Sequence, residues 1–179
     1  MPSTAYIVRV ATEADLPAIV AIYNATIPSR MVTADLEPVT VGSRRAWLRA
    51  HNPETRPLWV ALDAGEVCAW LSLNSFYGRP AYRATAEVSV YVAATHRRRG
   101  LGGELLARAI AQAPRCGIRT LLGFIFAHNE PSLQLFARRG FERWGCFPRV
   151  AELDGVERDV VIMGQRVAES RAFSPATPE

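Results

Sequence analysis

The feature that most constrains this chain is a basic, glycine-rich segment between a predicted strand and a predicted helix. Residues 87–92 are rich in β-branched side chains, as strands are, and residues 97–103 follow with the sequence Arg-Arg-Arg-Gly-Leu-Gly-Gly. Such a turn leaves backbone N–H groups unpaired at the positive end of a helix dipole, where they bind anions. Glycines remove the Cβ atoms that would keep a phosphate from the main chain. The sequence therefore predicts a pyrophosphate site at this turn.

The spacing of the glycines limits which phosphate ligand fits. A Walker loop needs a lysine before serine or threonine, and this chain contains no lysine. The dinucleotide fingerprint needs G-x-G-x-x-G, whereas Glu104 directly follows the paired glycines. Arg97-x-x-Gly100-x-Gly102 instead resembles the R/Q-x-x-G-x-G/A signature of the GCN5-related N-acetyltransferases (GNAT), where this loop grips the pyrophosphate of acetyl-CoA. On the motif alone, an ordinary turn with solvated arginines stays open as the alternative.

The composition is that of a globular protein. A chain of 179 residues, 49% hydrophobic and 21% charged, suffices for one domain with a sizeable core. We expect this domain to span residues 5–167 and the tail at 168–179 to be disordered. The three cysteines and three histidines are scattered, so we expect no disulfide framework and no bound metal.

The charge and the N-terminus bear on partners and location. The N-terminus lacks the regions of a signal peptide, and no apolar run approaches the roughly 20 residues that span a bilayer. We therefore expect a cytoplasmic protein with no membrane partner. The net charge of +4 suits a polyanionic cofactor, but it also suits nucleic acid. A nucleic-acid binder is thus the rival function. Because no stacking aromatic residues flank the basic run, we expect no nucleic-acid partner.

Hydrophobic periodicity divides the chain into seven strands and four helices. Antiparallel strands come first, then a strand–helix–strand unit, then a closing hairpin, which predicts a mixed α/β layer. The second helix, residues 43–51, is expected to bury Trp47 and Leu48. The expected strands are residues 6–10, 58–62, 67–76, 83–92, 120–126, 141–150 and 158–166.

Four further segments resemble one subfamily, the phosphinothricin acetyltransferases, and one of them, residues 153–163, lies where its last hairpin is expected. Residues 85–92 are similar to its T-x-E-x-S-V-Y-V strand. Residues 22–24, together with the stretch 33–38, are similar to its first helix and substrate loop. Residues 128–132, followed by Gly140-Phe141, match its N-x-x-S…G-F block.

The resemblance covers residues 7–167, and it implies both fold and activity. The implied fold is the α/β GNAT fold, a mixed and mostly antiparallel sheet of about seven strands, splayed in the middle and flanked by about four helices. The implied activity is acetyl transfer from acetyl-CoA to the primary amine of a small amino-acid-like acceptor, such as phosphinothricin or methionine sulfoximine or sulfone. A homodimer is implied by the same analogy. Protein N-termini or an antibiotic are alternative acceptors.

The resemblance also assigns residues to the cofactor. Main-chain groups of three strand residues would bond the pantetheine arm, the basic loop would hold the pyrophosphate, and Asn129 would bond the arm near the thioester. Asn129 could equally cap the helix after it, and the two roles are compatible. The expected cofactor-binding residues are Val90, Tyr91, Val92, Arg97, Arg98, Arg99, Gly100, Leu101, Gly102, Gly103, Asn129 and Ser132.

Glu87 is the expected catalytic residue. An ammonium has no lone pair to attack a thioester, so a nearby carboxylate must take the proton from the acceptor. Glu87 lies three residues before Val90, so the two side chains are expected on opposite faces of the strand. An exposed glutamate in a surface ion pair is the other interpretation. The backbone N–H of Val90 would stabilise the oxyanion.

The general acid and the acceptor site are less constrained. Phe136 stands where the family has tyrosine or histidine, and phenylalanine cannot donate a proton, so no acid is assigned. For the acceptor we expect Glu37 to orient the ammonium group, Tyr82 to form an aromatic wall, and Arg83 to bind a carboxylate. Arg30 and Arg79 are further candidates for the carboxylate.

Overall fold

The structure is a computed structural model that describes residues 6–167, so the expected disorder at 168–179 lies outside the described residues. Within this range the chain forms seven strands and four α-helices. The strands are β1 (Ile7–Val10), β2 (Leu58–Asp63), β3 (Glu66–Ser75), β4 (Thr85–Val92), β5 (Thr120–Phe126), β6 (Glu142–Leu153) and β7 (Val156–Arg166). The helices are α1 (Leu16–Asn24), α2 (Val41–Ala50), α3 (Leu101–Gln112) and α4 (Glu130–Ala137).

The seven strands form one sheet in the order β1-β2-β3-β4-β5-β7-β6. All neighbours are antiparallel except β4 and β5, which are parallel. The parallel pair is joined only over Thr85–Glu87, opposite Thr120–Leu122. Beyond this point β4 continues to Val92 without a β5 partner, so the sheet opens in the middle. The predicted mixed, splayed sheet is thereby confirmed.

Helices cover both faces of the sheet. Buried leucines of α3 and Phe136 of α4 pack on one face, where Ala86 and Val88 of β4 point. On the other face α1 packs against Trp70, with Tyr91 beside it. Because side chains alternate along a strand, Glu87 lies on the α1 and α2 face, opposite Val90, as the spacing predicted.

Several boundaries differ from the sequence prediction. Helix α2 begins two residues early because the Thr40 hydroxyl accepts a hydrogen bond from the Ser43 N–H at 3.1 Å and caps the helix. The prediction that α2 buries Trp47 and Leu48 is wrong, since both are half-buried. The Trp47 ring faces a cavity between the helices and the sheet, so it is not fully packed. Strand β4 begins at Thr85 because Pro80–Tyr82 forms a 3-10 turn.

None of the helices between residues 6 and 167 combines the length and the apolar character needed to cross a membrane.

Candidate functional site

The opening between β4 and β5 forms a narrow cleft of about 50 Å³, here called the β4–β5 cleft. Its walls come from both strands, from α4 and from the loop after α1. The lining residues are Val32, Val88, Ser89, Val90, Tyr91, Phe124, Ile125, Asn129, Ser132 and Phe136.

Main-chain groups of β4 point into this cleft. The Ala84 carbonyl accepts hydrogen bonds from the β5 side, and the Ala93 N–H donates to the Cys68 carbonyl on β3 at 2.8 Å. Main-chain groups alternate between the two edges of a strand, so Val90 and Val92 direct theirs to the cleft and Tyr91 directs its own to β3. The Val92 carbonyl accepts a hydrogen bond from the Arg97 Nε at 3.3 Å, so the edge is open at Val90, where an extended molecule can add to the strand.

The basic loop lies at the end of the open strand. Gly100 is the N-cap of α3 and has φ +84°, a left-handed conformation that favours glycine. The first N–H groups of α3 have no acceptor within the helix. Residues 97–99 are exposed, and none of these arginines forms an ion pair with a carboxylate of residues 6–167. The loop thus combines free amides with uncompensated positive charge, as a diphosphate site requires.

The other two glycines of the loop face α4. A Cβ on Gly102 would lie 3.4 Å from Leu135, and one on Gly103 would lie 2.7 Å from the Arg139 guanidinium. Gly103 therefore leaves room for the side chain of Arg139, which follows α4, beside the first turn of α3. The motif gave no signal for Arg139, because this neighbour depends on how the two helices pack.

Asn129 and Ser132 line the inner side of the cleft. Asn129 is buried, and its side-chain oxygen accepts the Ser132 N–H at 3.3 Å, which caps α4. Asn129 therefore caps the N-terminus of α4 and also lines the β4–β5 cleft, so its position is compatible with both expected roles. Phe136 is buried against Phe141, and its ring fills the space above Gly123, where a Cβ would lie 2.5 Å away. The hydrocarbon ring of Phe136 cannot donate a proton.

Glu87 is half-buried on β4, opposite Asn74 of β3. Its carboxylate forms no hydrogen bond or ion pair with another residue of the described range, so the surface ion pair is not found there. Burial raises the pKa of Glu87 above its ordinary value, because desolvation disfavours the charged form. Glu87 is therefore an accessible carboxylate of increased basicity.

A second cavity, here called the aromatic cavity, lies on the α1 and α2 face of the sheet and measures about 130 Å³. It is enclosed by α1, α2, β3 and β4. Glu87 lines neither this cavity nor the β4–β5 cleft, but Asn74, opposite Glu87 on β3, and Ser89 line the aromatic cavity. Ser89 and Tyr91 line both this cavity and the β4–β5 cleft. The cavity is lined by Ile19, Val20, Tyr23, Val39, Arg44, Trp47, Trp70, Ser72, Asn74, Ser89 and Tyr91.

Tyr91 forms the wall between the two spaces. Its ring stacks on Trp70 at 4.3 Å between centroids, with 19° between the planes. Burial is the main reason why the pKa of Tyr91 lies well above its ordinary value. The phenol therefore stays neutral across the physiological range.

The residues expected to bind the acceptor line neither space. Tyr82 is 41% exposed and packs edge-on against Phe76. Arg83 and Glu37 are exposed, and the Arg83 carbonyl accepts a hydrogen bond from Arg56 at 2.7 Å. Arg30 is paired with Asp154 at 2.7 Å.

An arginine that was not expected at the site, Arg44, lines the aromatic cavity. It pairs with Asp35 at 3.0 Å and lies over the Tyr23 ring at 4.9 Å. No sequence motif indicated it, although Arg44 and Trp47 stand three residues apart and so share one face of α2. In the described part of the chain, no three His, Cys, Asp or Glu side chains are grouped so that they could hold a metal ion.

Comparison with known proteins decides the family. A profile of the acetyltransferase (GNAT) family matches residues 19–141, which contain the open strand, the basic loop and Asn129. The chain belongs to the acetyltransferase (GNAT) family. Its expected class, an acyltransferase, is thereby confirmed.

Relatives and solved structures agree with this assignment. YwnH of Bacillus subtilis (strain 168), provisionally named a phosphinothricin acetyltransferase, is 53% identical over 89% of this chain and 98% of its own. The L-methionine sulfoximine/L-methionine sulfone acetyltransferase of Pseudomonas paraeruginosa (strain DSM 24068 / PA7) is 34% identical over 92% of this chain and 96% of its own. The crystal structure of a GNAT superfamily phosphinothricin acetyltransferase from Sinorhizobium meliloti, in complex with AcCoA, has a TM-score of 0.88 at 26% identity. The match covers 95% of this chain and 92% of the Sinorhizobium meliloti chain. The GNAT fold and acetyl-CoA as cosubstrate are therefore confirmed.

Proposed function

We propose that this acetyltransferase moves the acetyl group of acetyl-CoA to the primary amine of a small amino-acid-like acceptor, with Glu87 as the general base. The acceptor class, of the phosphinothricin or methionine sulfoximine and sulfone type, is taken from the names of the relatives. The observation that carries the proposal is the half-buried carboxylate of Glu87, which has no hydrogen-bond or ion-pair partner among residues 6–167 and lies on the strand whose open edge forms the cleft.

The basicity of Glu87 suits this role. An α-amino group has a pKa of roughly 7.7–8.0 and is mostly protonated at neutral pH. Glu87, directly or through one water, takes the proton and leaves the lone pair that attacks the acyl carbon. The carbon–nitrogen bond forms as the carbon–sulfur bond breaks, and coenzyme A would leave as a thiolate that solvent protonates to the free thiol. A base whose pKa is raised toward neutrality takes the proton better, and such catalysis contributes about 10²–10⁴ in rate.

The residues around the cleft fit acetyl-CoA. The open edge at Val90 suits the extended thioester arm, and the amides at the start of α3, with Arg97–Arg99, suit the diphosphate. Bound there, acetyl-CoA supplies the activated acyl group. The Val90 N–H faces the cleft and would stabilise negative charge on the acyl oxygen. No side chain is proposed as the general acid, because Phe136 cannot act as one.

A substrate panel tests the activity. Purified protein is mixed with acetyl-CoA and phosphinothricin, methionine sulfoximine, methionine sulfone, short peptides or an aminoglycoside, and free thiol is measured. We expect thiol release with the amino-acid analogues. Release confined to peptides or to the aminoglycoside would replace the proposed acceptor. If calorimetry detected no association with coenzyme A at millimolar concentration, the cofactor site would be disproved.

Direct attack in a ternary complex has its own kinetic test. Both substrates must be bound together, so double-reciprocal plots at several fixed acceptor concentrations should intersect. Mass spectra of protein incubated with acetyl-CoA alone should show no acetylated residue. Parallel lines together with an acetylated enzyme would indicate a covalent mechanism instead.

We also propose that the protein is a homodimer. Aromatic rings run across the sheet from Tyr77 and Phe76 through Phe124 to Phe147, with stacked centroid distances of 6.3 and 6.4 Å along the last two steps. Tyr77 is 72% and Phe147 41% exposed, and an apolar surface of this kind is typical of an interface. Light scattering should show a dimer that Phe147→Asp dissociates. Ile7→Asp, on the opposite edge of the sheet, should leave it intact.

A further inference from the structure

We propose that Asn74 is a positioning residue for the reaction: held in one orientation by Trp47, it binds the water through which Glu87 takes the proton of the acceptor amine. This inference rests on the proposed function, because it concerns how the general base of that reaction works. It gives a role to a group of polar side chains on the α1 and α2 face of the sheet.

Four polar residues are neighbours on this face. Strands β3 and β4 place Asn74 opposite Glu87 and Ser72 opposite Ser89. Opposite residues direct their side chains to the same face, and their Cβ atoms lie roughly 4.5–5.5 Å apart. Polar groups on such side chains are close enough to share one bound water. These four residues are here called the polar tetrad.

The orientation of the Asn74 amide is fixed by its hydrogen bonds. The Trp47 indole N–H donates to Asn74 Oδ1 at 3.3 Å, and because an indole nitrogen only donates, the amide oxygen must face Trp47. Asn74 Nδ2 in turn donates to the Ser72 hydroxyl at 3.1 Å. A primary amide has two N–H groups, and among the described residues nothing accepts the second one. Asn74 therefore has one donor left for a bound molecule.

The polar tetrad offers a water the partners that it needs. Ser72, Asn74 and Ser89 line the aromatic cavity, whose volume of about 130 Å³ is several times what one water requires. Glu87 does not line this cavity, so we place the water at its edge, between Asn74 and Glu87. A bound water makes about three hydrogen bonds. Here it accepts from the Asn74 N–H and donates to the Glu87 carboxylate and the Ser89 hydroxyl.

This arrangement leaves one lone pair of the water for the acceptor. The ammonium group gives a proton to the water oxygen as the water gives one of its own protons to the Glu87 carboxylate. The water is thereby regenerated, the amine gains the lone pair that attacks the thioester, and Glu87 becomes a carboxylic acid that later loses its proton to solvent. Asn74 exchanges no proton, because its hydrogen bond only holds the water oxygen in place.

Removing the donor tests the role of Asn74. Asn74→Leu keeps the size of the side chain, and we expect kcat for the best acceptor of the panel to fall about tenfold with the KM for acetyl-CoA unchanged. Trp47→Phe keeps a ring but no longer fixes the amide, so it should lower kcat severalfold. Ser75→Ala is the matched control, because Ser75 is exposed, follows Asn74 on β3 and points to the other face. If Asn74→Leu raised the acceptor KM and left kcat unchanged, the inference would be overturned.

A double-mutant cycle tests whether Asn74 acts through Glu87. Asn74→Leu should slow the wild-type protein but not the Glu87→Gln protein, because the water then has no base to serve. Equal factors in the two backgrounds would overturn the inference and leave Glu87 as the base. If Glu87→Gln kept the wild-type kcat, the proposed base and the positioning role would both be overturned.

A crystal structure gives a readout that does not depend on activity. At high resolution, wild type should contain a water within hydrogen-bond distance of Asn74 Nδ2 and the Glu87 carboxylate, and Asn74→Leu should lose it. This water in a protein that acetylates no acceptor would overturn the proposed function but support the positioning role. A direct bond between Asn74 and Glu87, or no water between them, would overturn the inference alone.

Discussion

Glu87 is a carboxylate that is half-buried yet has no hydrogen-bond or ion-pair partner within residues 6–167. Burial of a carboxylate without a partner costs stability, and groups of this kind are concentrated at functional sites. We predict that Glu87→Gln lowers kcat about 10²–10³-fold at neutral pH with the KM for acetyl-CoA unchanged. The wild-type rate should rise with pH through the raised pKa of Glu87, and the variant should lose this limb. A stopped assay over pH 5–9 measures both.

The same variant has a folding control with a defined sign. A folded-state pKa above the ordinary 4.5 means that the fold prefers protonated Glu87. The contribution to stability is therefore full below pH 4.5 and is lost as the pH rises through the folded pKa. Glu87→Gln should be at least as thermostable as wild type at pH 7, and the difference should vanish near pH 4. A variant that melts lower at pH 7 would indicate a structural role.

Asp15 has the opposite electrostatic environment. Arg9 donates two hydrogen bonds to its carboxylate at 2.7 and 2.8 Å, and the Thr12 N–H donates a third. These bonds, chiefly those from Arg9, lower the pKa of Asp15 to about 2. The stabilisation is present above the ordinary 3.8 and is lost as the pH falls toward 2.

We therefore predict that Asp15→Asn destabilises the protein by about 1–2 kcal/mol at pH 7, reduced from the full value because Arg9 is partly exposed. The melting temperature should fall by roughly 3–6 °C, and the loss should shrink below pH 3. Glu13→Gln is the control, since its contacts to Arg45 and Arg49 are exposed and no shorter than 3.6 Å. An equal loss in both variants would contradict the prediction.

At the scale of elements, a contact between β2 and the turn after β4 supports the basic loop. His96 ends the 3-10 turn that precedes Arg97, and its Nε2 lies 3.0 Å from the Asp63 carboxylate. A net hydrogen bond is worth about 0.5–1.5 kcal/mol, or roughly two- to tenfold in an equilibrium. We predict that Asp63→Ala weakens coenzyme A binding by about this factor, as measured by calorimetry. Acceptor KM should not change.

Glu66→Gln provides the comparison for this prediction. Glu66 begins β3 in the same hairpin and is exposed, without an ion pair to another described residue. Glu66→Gln removes one negative charge, as Asp63→Ala does, but the Glu66 side chain forms no hydrogen bond or ion pair with the described residues of the turn. If both variants changed coenzyme A affinity equally, the effect would be one of net charge and not of loop position.

Elements were predictable from the sequence where the signal is local. The alternation in β4, the glycine at the start of α3 and the Asn129 cap each depend on neighbours within a few residues, and the structure contains all three. Arg44, Arg139 and the pairing of Arg30 were missed. Their partners come from loops and helices that only tertiary packing brings close, so no periodicity or spacing reports them. Tyr82 failed to line a cavity for the same reason, since a turn redirects it toward Phe76.

At the scale of the molecule, the site depends on segments distant in the chain. The loop after α1 supplies Val32 to the β4–β5 cleft, and Arg30 ties this loop to Asp154 in the turn between β6 and β7. His128, just before α4, bonds the Arg30 carbonyl at 2.8 Å. Arg30 thus joins the loop after α1 to two other segments, the one just before α4 and the turn between β6 and β7. Arg30 and Asp154 are 124 residues apart along the chain.

We predict that Asp154→Asn loosens this loop without unfolding the protein. The ion pair is solvent-exposed and contributes little to global stability, so the melting temperature should stay within about 2 °C. Amide hydrogen exchange of residues 27–36 should accelerate severalfold, and the acceptor KM should rise while the KM for acetyl-CoA stays constant. Asparagine tolerates the left-handed backbone at this position, where φ is +51°. Glu157→Gln removes the exposed contact with Arg149 in the same hairpin and should change none of these quantities. If amide exchange of residues 27–36 were equally fast in Asp154→Asn and Glu157→Gln, the ion pair between Arg30 and Asp154 would not order the loop.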